Sequence, residues 1–157
     1  MSDWIQPGTP APDFELVDAD GTKHKLSSKR GGPVAVYFYP KDDTPGCTKQ
    51  ACGIRDHWDE LNAAGVTVWG ISGDDADSHR KFAAKYDLPL TLLIDDGNEV
   101  AAEYGAYGEK NMYGKKSFGI KRSTYLIDAD GNVAKVWKRV KVEEHAQSIL
   151  DAVAELA

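Results

Sequence analysis

Val34-Ala-Val-Tyr-Phe-Tyr39-Pro-Lys-Asp-Asp-Thr44-Pro-Gly-Cys47-Thr-Lys-Gln-Ala-Cys52 is the stretch that decides the fold of this chain. Its first six residues are apolar, β-branched or aromatic without alternation, the pattern of a central strand buried on both faces, as in a parallel sheet. A helix is predicted to follow from Pro45 to Ala64. Thr44 suits the N-cap, Pro45 the first helical position, and Gly65 the residue just past the end. Cys47, Ala51, Ile54, Trp58 and Leu61 recur at helical spacing and form one apolar stripe, so Cys47 opens the core-facing side in the first turn.

The flanking sequence continues the alternation of strands and helices. Residues 1–13, rich in Pro and Gly, read as an extended lead-in. Phe14–Val17 and Lys23–Leu26 flank Asp18-Ala-Asp-Gly21, a hairpin signal. Val66–Ile71 is a second buried strand, Asp75–Tyr86 a helix stopped before Leu88-Pro89, and Leu90–Ile94 a short strand. Asn98–Tyr104 reads as a short helix. Ser123–Asp128 and Val133–Trp137 read as a second hairpin around Asp130-Gly131. The tail is expected to be a helix with Val142, Ala146, Ile149, Val153 and Leu156 on one face. Gly105–Gly119 is expected to be a mobile connection, with the further reading that Tyr113 or Phe118 lines a pocket mouth. The acidic run Asp74–Asp77 reads as a helix start on a solvated face. The fold class is thus α/β with a mixed sheet, in a single domain spanning residues 1–157.

Composition narrows the function. A net charge of −6 argues against a nucleic-acid partner or an anionic membrane surface. No apolar run approaches the roughly 18 residues of a membrane-spanning helix, and the N-terminus lacks the regions of a signal peptide. With two cysteines a disulfide scaffold is disfavoured, and a cytoplasmic location is expected. Two cysteines and four scattered histidines (His24, His57, His79, His145) do not compose a zinc site, and each histidine is expected at the solvated surface.

The two thiols carry the chemistry. A free thiol is only about 3% ionised at neutral pH. The unpaired amides and positive dipole at a helix N-terminus favour the thiolate. That can raise its fraction by at most about 30-fold, partly offset because nucleophilicity falls with pKa. Fast reaction with peroxide therefore also needs donors placed around the breaking O–O bond, and the Thr44 hydroxyl and the amides near Gly46 and Cys47 are candidates. Residues i and i+5 of an intact helix have Cα atoms about 8.6 Å apart, beyond the 7 Å or so that a disulfide tolerates. If Cys47 and Cys52 pair, the first turns must unwind, which predicts a switch: helical when reduced, locally unfolded when oxidised. A lone buried cysteine ordinarily does no chemistry, and that plainer reading fits Cys52 better than Cys47.

Pro40-Lys-Asp-Asp-Thr44-Pro-Gly-Cys47 resembles the Pro-x-x-x-Thr-x-x-Cys motif of peroxiredoxins. With Cys52 five residues on, the segment is similar to the bacterioferritin comigratory protein or peroxiredoxin Q subfamily. The likeness continues through Val68–Asp74, Leu88–Ile94 and Gly119–Asp128. It implies a thioredoxin-like fold, a mixed sheet flanked by helices with an N-terminal β-hairpin extension. By the same resemblance Cys47 is the peroxidatic and Cys52 the resolving cysteine, Thr44 bonds thiolate and peroxide, and Pro40 shields the pocket. Arg122 supports the thiolate and orients the peroxide. Gln50 stands where many relatives have glutamate, so no proton-handling role is assigned to it. The implied activity is reduction of hydrogen peroxide and organic hydroperoxides through a Cys47 sulfenic acid and an intramolecular disulfide. No cofactor is called for; the implied reductant is a dithiol such as thioredoxin, and the protein is expected to be a monomer. Two rivals use the same thiols: a thiol–disulfide oxidoreductase, disfavoured by the Cys-x4-Cys spacing and Thr44, and a redox-sensing binding protein.

Overall fold

The computed structural model describes residues 5–112 and 114–156; Tyr113, singled out above, lies outside them. A seven-stranded mixed sheet runs in the order β2-β1-β5-β4-β3-β8-β9. Its strands are β1 (Glu15–Val17), β2 (Lys23–Lys25), β3 (Val34–Phe38), β4 (Thr67–Ser72), β5 (Thr91–Ile94), β8 (Ser123–Ile127) and β9 (Val133–Trp137). Strand β3 is central and wholly buried, parallel to β4 and antiparallel to β8. Its residues alternate between two cores. Ala35, Tyr37 and Tyr39 pack against α1 (Pro45–Asp56), α2 (Trp58–Ala63), α3 (Ala76–Tyr86) and α5 (His145–Leu156). Val34, Val36 and Phe38 face Phe14, Leu26 and α4 (Glu99–Glu103) on the other side. The period-2 pleat therefore turns the unalternating apolar run into two filled layers. The N-terminal hairpin β1–β2 joins the sheet through a single pairing of Val17 with Ile94.

The lead-in is held along the far edge, Gly8 N–H donating to the Val133 carbonyl and Ala11 N–H to that of Gly131.

Four expectations are corrected. The helix predicted over 45–64 is broken at His57, which leaves helical geometry (φ −108°, ψ 16°) while its ring Nδ1 bonds the Gly53 carbonyl at 3.0 Å. The connection expected over 105–119 is built largely of strands among its described residues. Strands β6 (Tyr107–Met112) and β7 (Lys115–Ile120) form an antiparallel hairpin, pairing Tyr107 with Ile120. Their Gly- and Lys-rich sequence has no apolar alternation to betray a strand, because this hairpin forms a sheet of its own. The last helix begins at His145, and its buried face is His145, Ala146, Ile149, Ala152 and Val153; Val142 precedes it and Leu156 is 44% exposed. Finally, Asp75 caps α3 by accepting from Ser78 N–H, as a helix start should. Asp74, however, is half-buried, accepting from the Asp42 amide and the Ser72 hydroxyl.

Candidate active site

Cys47 lies in the first turn of α1, with Thr44 as N-cap and Pro45 at the first helical position. It is 2% exposed, and both cysteines are free thiols. The intrahelical ladder starts with Thr48 N–H to the Thr44 carbonyl, so the amides of Gly46 and Cys47 precede it. Arg122 donates from Nη2 to Cys47 Sγ at 3.1 Å and from Nη1 to Gln50 Oε1 at 2.6 Å. The pairing of β3 with β8 explains the meeting. Phe38 lies opposite Ser123, so Arg122 stands beside the chain that leaves β3 for the cysteine loop. Gly46 makes room for the guanidinium, since a Cβ there would lie 3.1 Å from Nη2.

The remaining predicted residues are placed as follows. Thr44 is half-buried, and its hydroxyl donates to the Lys41 carbonyl at 2.9 Å, leaving the oxygen free to accept. Pro40 is exposed, on a groove shared with Tyr107, Phe118, Gly119 and Ile120, where Phe118 is 74% exposed. Cys52 is half-buried within the same unbroken helix as Cys47, which keeps their Cα atoms about 8.6 Å apart. A buried cysteine on a helix N-terminus, with a guanidinium on its sulfur, is a site for attack by sulfur under electrophilic assistance.

Residues 7–136 match the AhpC/TSA family. The chain belongs to that family. It is 49% identical over 146 residues to a putative peroxiredoxin Bcp of Coxiella burnetii, covering 93% of this chain and 97% of the relative. It is 45% identical over 153 residues to peroxiredoxin Bcp of Escherichia coli, covering 98% of both. Among solved structures, the Xanthomonas campestris bacterioferritin comigratory protein, studied for its alkyl peroxide reduction activity, superimposes with a TM-score of 0.88 at 34% identity, covering 96% of this chain and 99% of its own. The protein is thus a peroxiredoxin of the Bcp/peroxiredoxin Q type with a thioredoxin-like fold, a thiol peroxidase acting on a peroxide and recycled by a thiol reductant.

Two residues of this peroxiredoxin escaped the sequence reading, and both correct the expectation of solvated histidines. His79 and His145 are 1% and 2% exposed. His79 Nε2 faces the Leu93 carbonyl at 2.9 Å, which can only accept, and Nδ1 faces Asp42 Oδ2 at 2.6 Å, so the ring donates at both ends as an imidazolium. Burial opposes that charge, but the Asp42 hydrogen bond and charge outweigh it and raise the His79 pKa. Asp42 also accepts from Tyr39 Oη (2.6 Å) and Ser78 Oγ (2.8 Å). Next to it Asp43, at φ 57°, accepts from Lys85 and Tyr86. The loop carrying Thr44 is thereby fastened to α3. Asp42, Asp74 and His79 also bring three possible ligand atoms within 4.8 Å of one another, but hydrogen bonds already engage each of them.

His145 has the opposite character: burial, and then the charge of Arg122, hold its pKa down at about 3. The two histidines give stability a defined pH dependence. The His145 of unfolded chains takes up a proton near 6.5, whereas the folded ring does not until about 3. Stability is therefore expected to fall as pH drops from about 6.5 to 4.5, by up to about 1.4 kcal/mol per pH unit. Asp13, Asp18 and Asp43, whose pKa values lie below 3.8, add to the loss only at lower pH. The His79 contribution, complete below 6.5, is lost as pH rises through its raised folded pKa. Urea midpoints across pH check this, with His145→Asn flattening the acid limb. Asp95, whose pKa burial raises, opposes this loss as pH falls, so the assignment is contradicted if His145→Asn leaves the slope between pH 4.5 and 6.5 unchanged.

Proposed function

We propose that Cys47 is the peroxidatic cysteine and Cys52 the resolving one. The observation that carries this is the Arg122 guanidinium on the Cys47 sulfur. The Cys47 thiolate attacks the terminal oxygen of hydrogen peroxide or an organic hydroperoxide. The O–O bond breaks, the distal fragment leaves as hydroxide or alkoxide and takes a proton, and the sulfur becomes a sulfenic acid. Arg122 stabilises charge first on sulfur and then on the leaving oxygen, while Thr44, its own proton engaged by Lys41, accepts from the peroxide O–H. Pro40, by the family resemblance, shields the thiol, and Phe118, across a groove that Pro40 lines but Cys47 does not, offers an apolar surface to bulkier hydroperoxides. The first turns of α1 then unwind, the Cys52 thiol attacks the sulfenic sulfur, water leaves, and an intramolecular disulfide forms. A dithiol, thioredoxin in this reading, reduces it by exchange. The chain acts as a monomer and a single domain over residues 1–157, in the cytoplasm.

Intact-mass measurement of reduced protein after one equivalent of hydrogen peroxide tests the assignment, with Cys52→Ser alongside. The parent is expected to lose two hydrogens and the variant to gain one oxygen. Unchanged masses in both over minutes would remove Cys47 from the peroxidatic role.

A further inference from the structure

The hydrogen bonds behind Arg122 leave no freedom of direction. A guanidinium only donates, so the oxygen of the Gln50 amide must face Arg122 Nη1, at 2.6 Å. The amide nitrogen then faces His145 Nδ1, at 3.3 Å, and donates to it. Nδ1 must therefore carry the lone pair and Nε2 the proton, which goes to Thr124 Oγ1 at 2.8 Å. A single tautomer of one histidine sets the whole row from Thr124 through His145, Gln50 and Arg122 to Cys47.

The row is also sterically fixed. Gln50 is fully buried on α1, His145 opens α5, and Thr124 is buried on β8. The Tyr37 ring stands nearly perpendicular to the imidazole, centroids 5.1 Å apart, and limits its rotation. A protonated ring would oppose N–H to N–H at Gln50 and expel the amide. The depressed basicity of His145 agrees with this geometry. Gly46, lacking a Cβ, leaves room for the guanidinium on one side, and Gln50 holds it on the other.

We propose that His145 is a positioning residue for the peroxide reaction. As a fixed neutral acceptor it orients Gln50, and through Gln50 it holds Arg122 on the Cys47 sulfur, which makes the C-terminal helix part of the active site. The inference rests on the reading of Arg122 as the group that stabilises charge at Cys47. It also implies that the relay is broken in each catalytic cycle, because unwinding between Cys47 and Cys52 withdraws Gln50 from His145.

The test compares His145→Leu with His145→Asn. The two side chains have nearly the same shape, but only asparagine can present an acceptor where Nδ1 now stands. Stopped-flow rates with hydrogen peroxide are measured for each, alone and combined with Arg122→Leu. His145→Leu is expected to slow the reaction about tenfold, the effect of one lost hydrogen bond. His145→Asn is expected to stay within about threefold, and the His145→Leu effect should vanish once Arg122 is gone, as coupled sites require. Equal losses in the two His145 variants, or the same His145→Leu loss with and without Arg122, would overturn the proposal. If Arg122→Leu alone leaves the rate unchanged, the Arg122 reading falls and the relay with it. If Arg122→Leu slows the reaction and His145→Leu does not, the relay alone falls. Should His145→Leu fail to fold, Thr124→Val removes the acceptor of the Nε2 proton at nearly constant shape. A rate loss that disappears in the Arg122→Leu background then supports the relay, and an undiminished loss or none refutes it.

Discussion

Replacing Arg122 by leucine is expected to slow the reaction of the reduced protein with hydrogen peroxide by roughly 10²- to 10³-fold, the usual effect of removing one well-placed donor from a site of developing charge. The size follows from the two contacts the guanidinium makes, 3.1 Å to Cys47 Sγ and 2.6 Å to Gln50 Oε1. The first acts directly on the reacting sulfur, and the second prevents the fork from turning away. Lysine at this position keeps the charge but lacks the planar fork that spans both partners, so Arg122→Lys should recover little of the rate. Gly46→Ala approaches the same contact from the other side. Its methyl would lie 3.1 Å from Nη2, closer than side-chain contacts normally come, and the guanidinium must yield by a few tenths of an ångström. An intermediate loss is expected. Stopped-flow measurements decide the matter, and an Arg122→Leu rate within threefold of the parent would be incompatible with the assigned role.

The second large effect is thermal. The oxidised protein, with Cys47 joined to Cys52, is expected to melt about 5–15 °C below the reduced form. Two opposed contributions set the sign. Closing so short a loop stabilises by only about 2 kcal/mol in the chain-entropy description. Against this, the helix of residues 45–56 must lose its first turns, because the two Cα atoms stand about 8.6 Å apart within it. Unwinding takes Cys47, Gln50 and Ala51 from almost complete burial. It breaks the charge-assisted Arg122–Gln50 bond, worth about 1.5–3 kcal/mol, and leaves His145 Nδ1 without its donor, at about 1–3 kcal/mol. The losses exceed the gain. Paired calorimetric scans of the reduced and peroxide-oxidised forms measure the difference, and amide exchange should show the loss of protection centred on residues 47–52. Coincident melting temperatures would rule out the unwinding.

Local signals carried much of the architecture. The apolar run Val34–Tyr39, the Thr-Pro-Gly entry to α1, the capping Asp75 and the two Asp-Ala-Asp-Gly turns each act over a few residues, so the elements they specify stand where expected. Expectations failed where the deciding partner was distant in the chain or where pattern was lacking. The break at His57 leaves no mark in the apolar stripe, which runs on through Trp58 and Leu61, and β6–β7, a two-stranded sheet of its own, carries no alternating apolar pattern in its sequence. The histidines went astray for another reason. A lone histidine has the same local appearance whether it is solvated or buried, and only its neighbours distinguish the two. His145 did leave a faint trace, since it shares the helical face of Ile149 and Ala152.

By itself the sequence determined an α/β chain with a cysteine in the first turn of a helix and a second cysteine too far along that helix to pair without unwinding. These properties follow from backbone geometry over a handful of residues. The surroundings of the sulfur were decided only by tertiary structure. Arg122 lies 75 residues from Cys47, and His145 lies 95 from Gln50. Strand register beside β3 brings the first to the site, and the packing of α5 against α1 brings the second. Such contacts depend on the shape of the whole core, to which no short stretch of sequence has access.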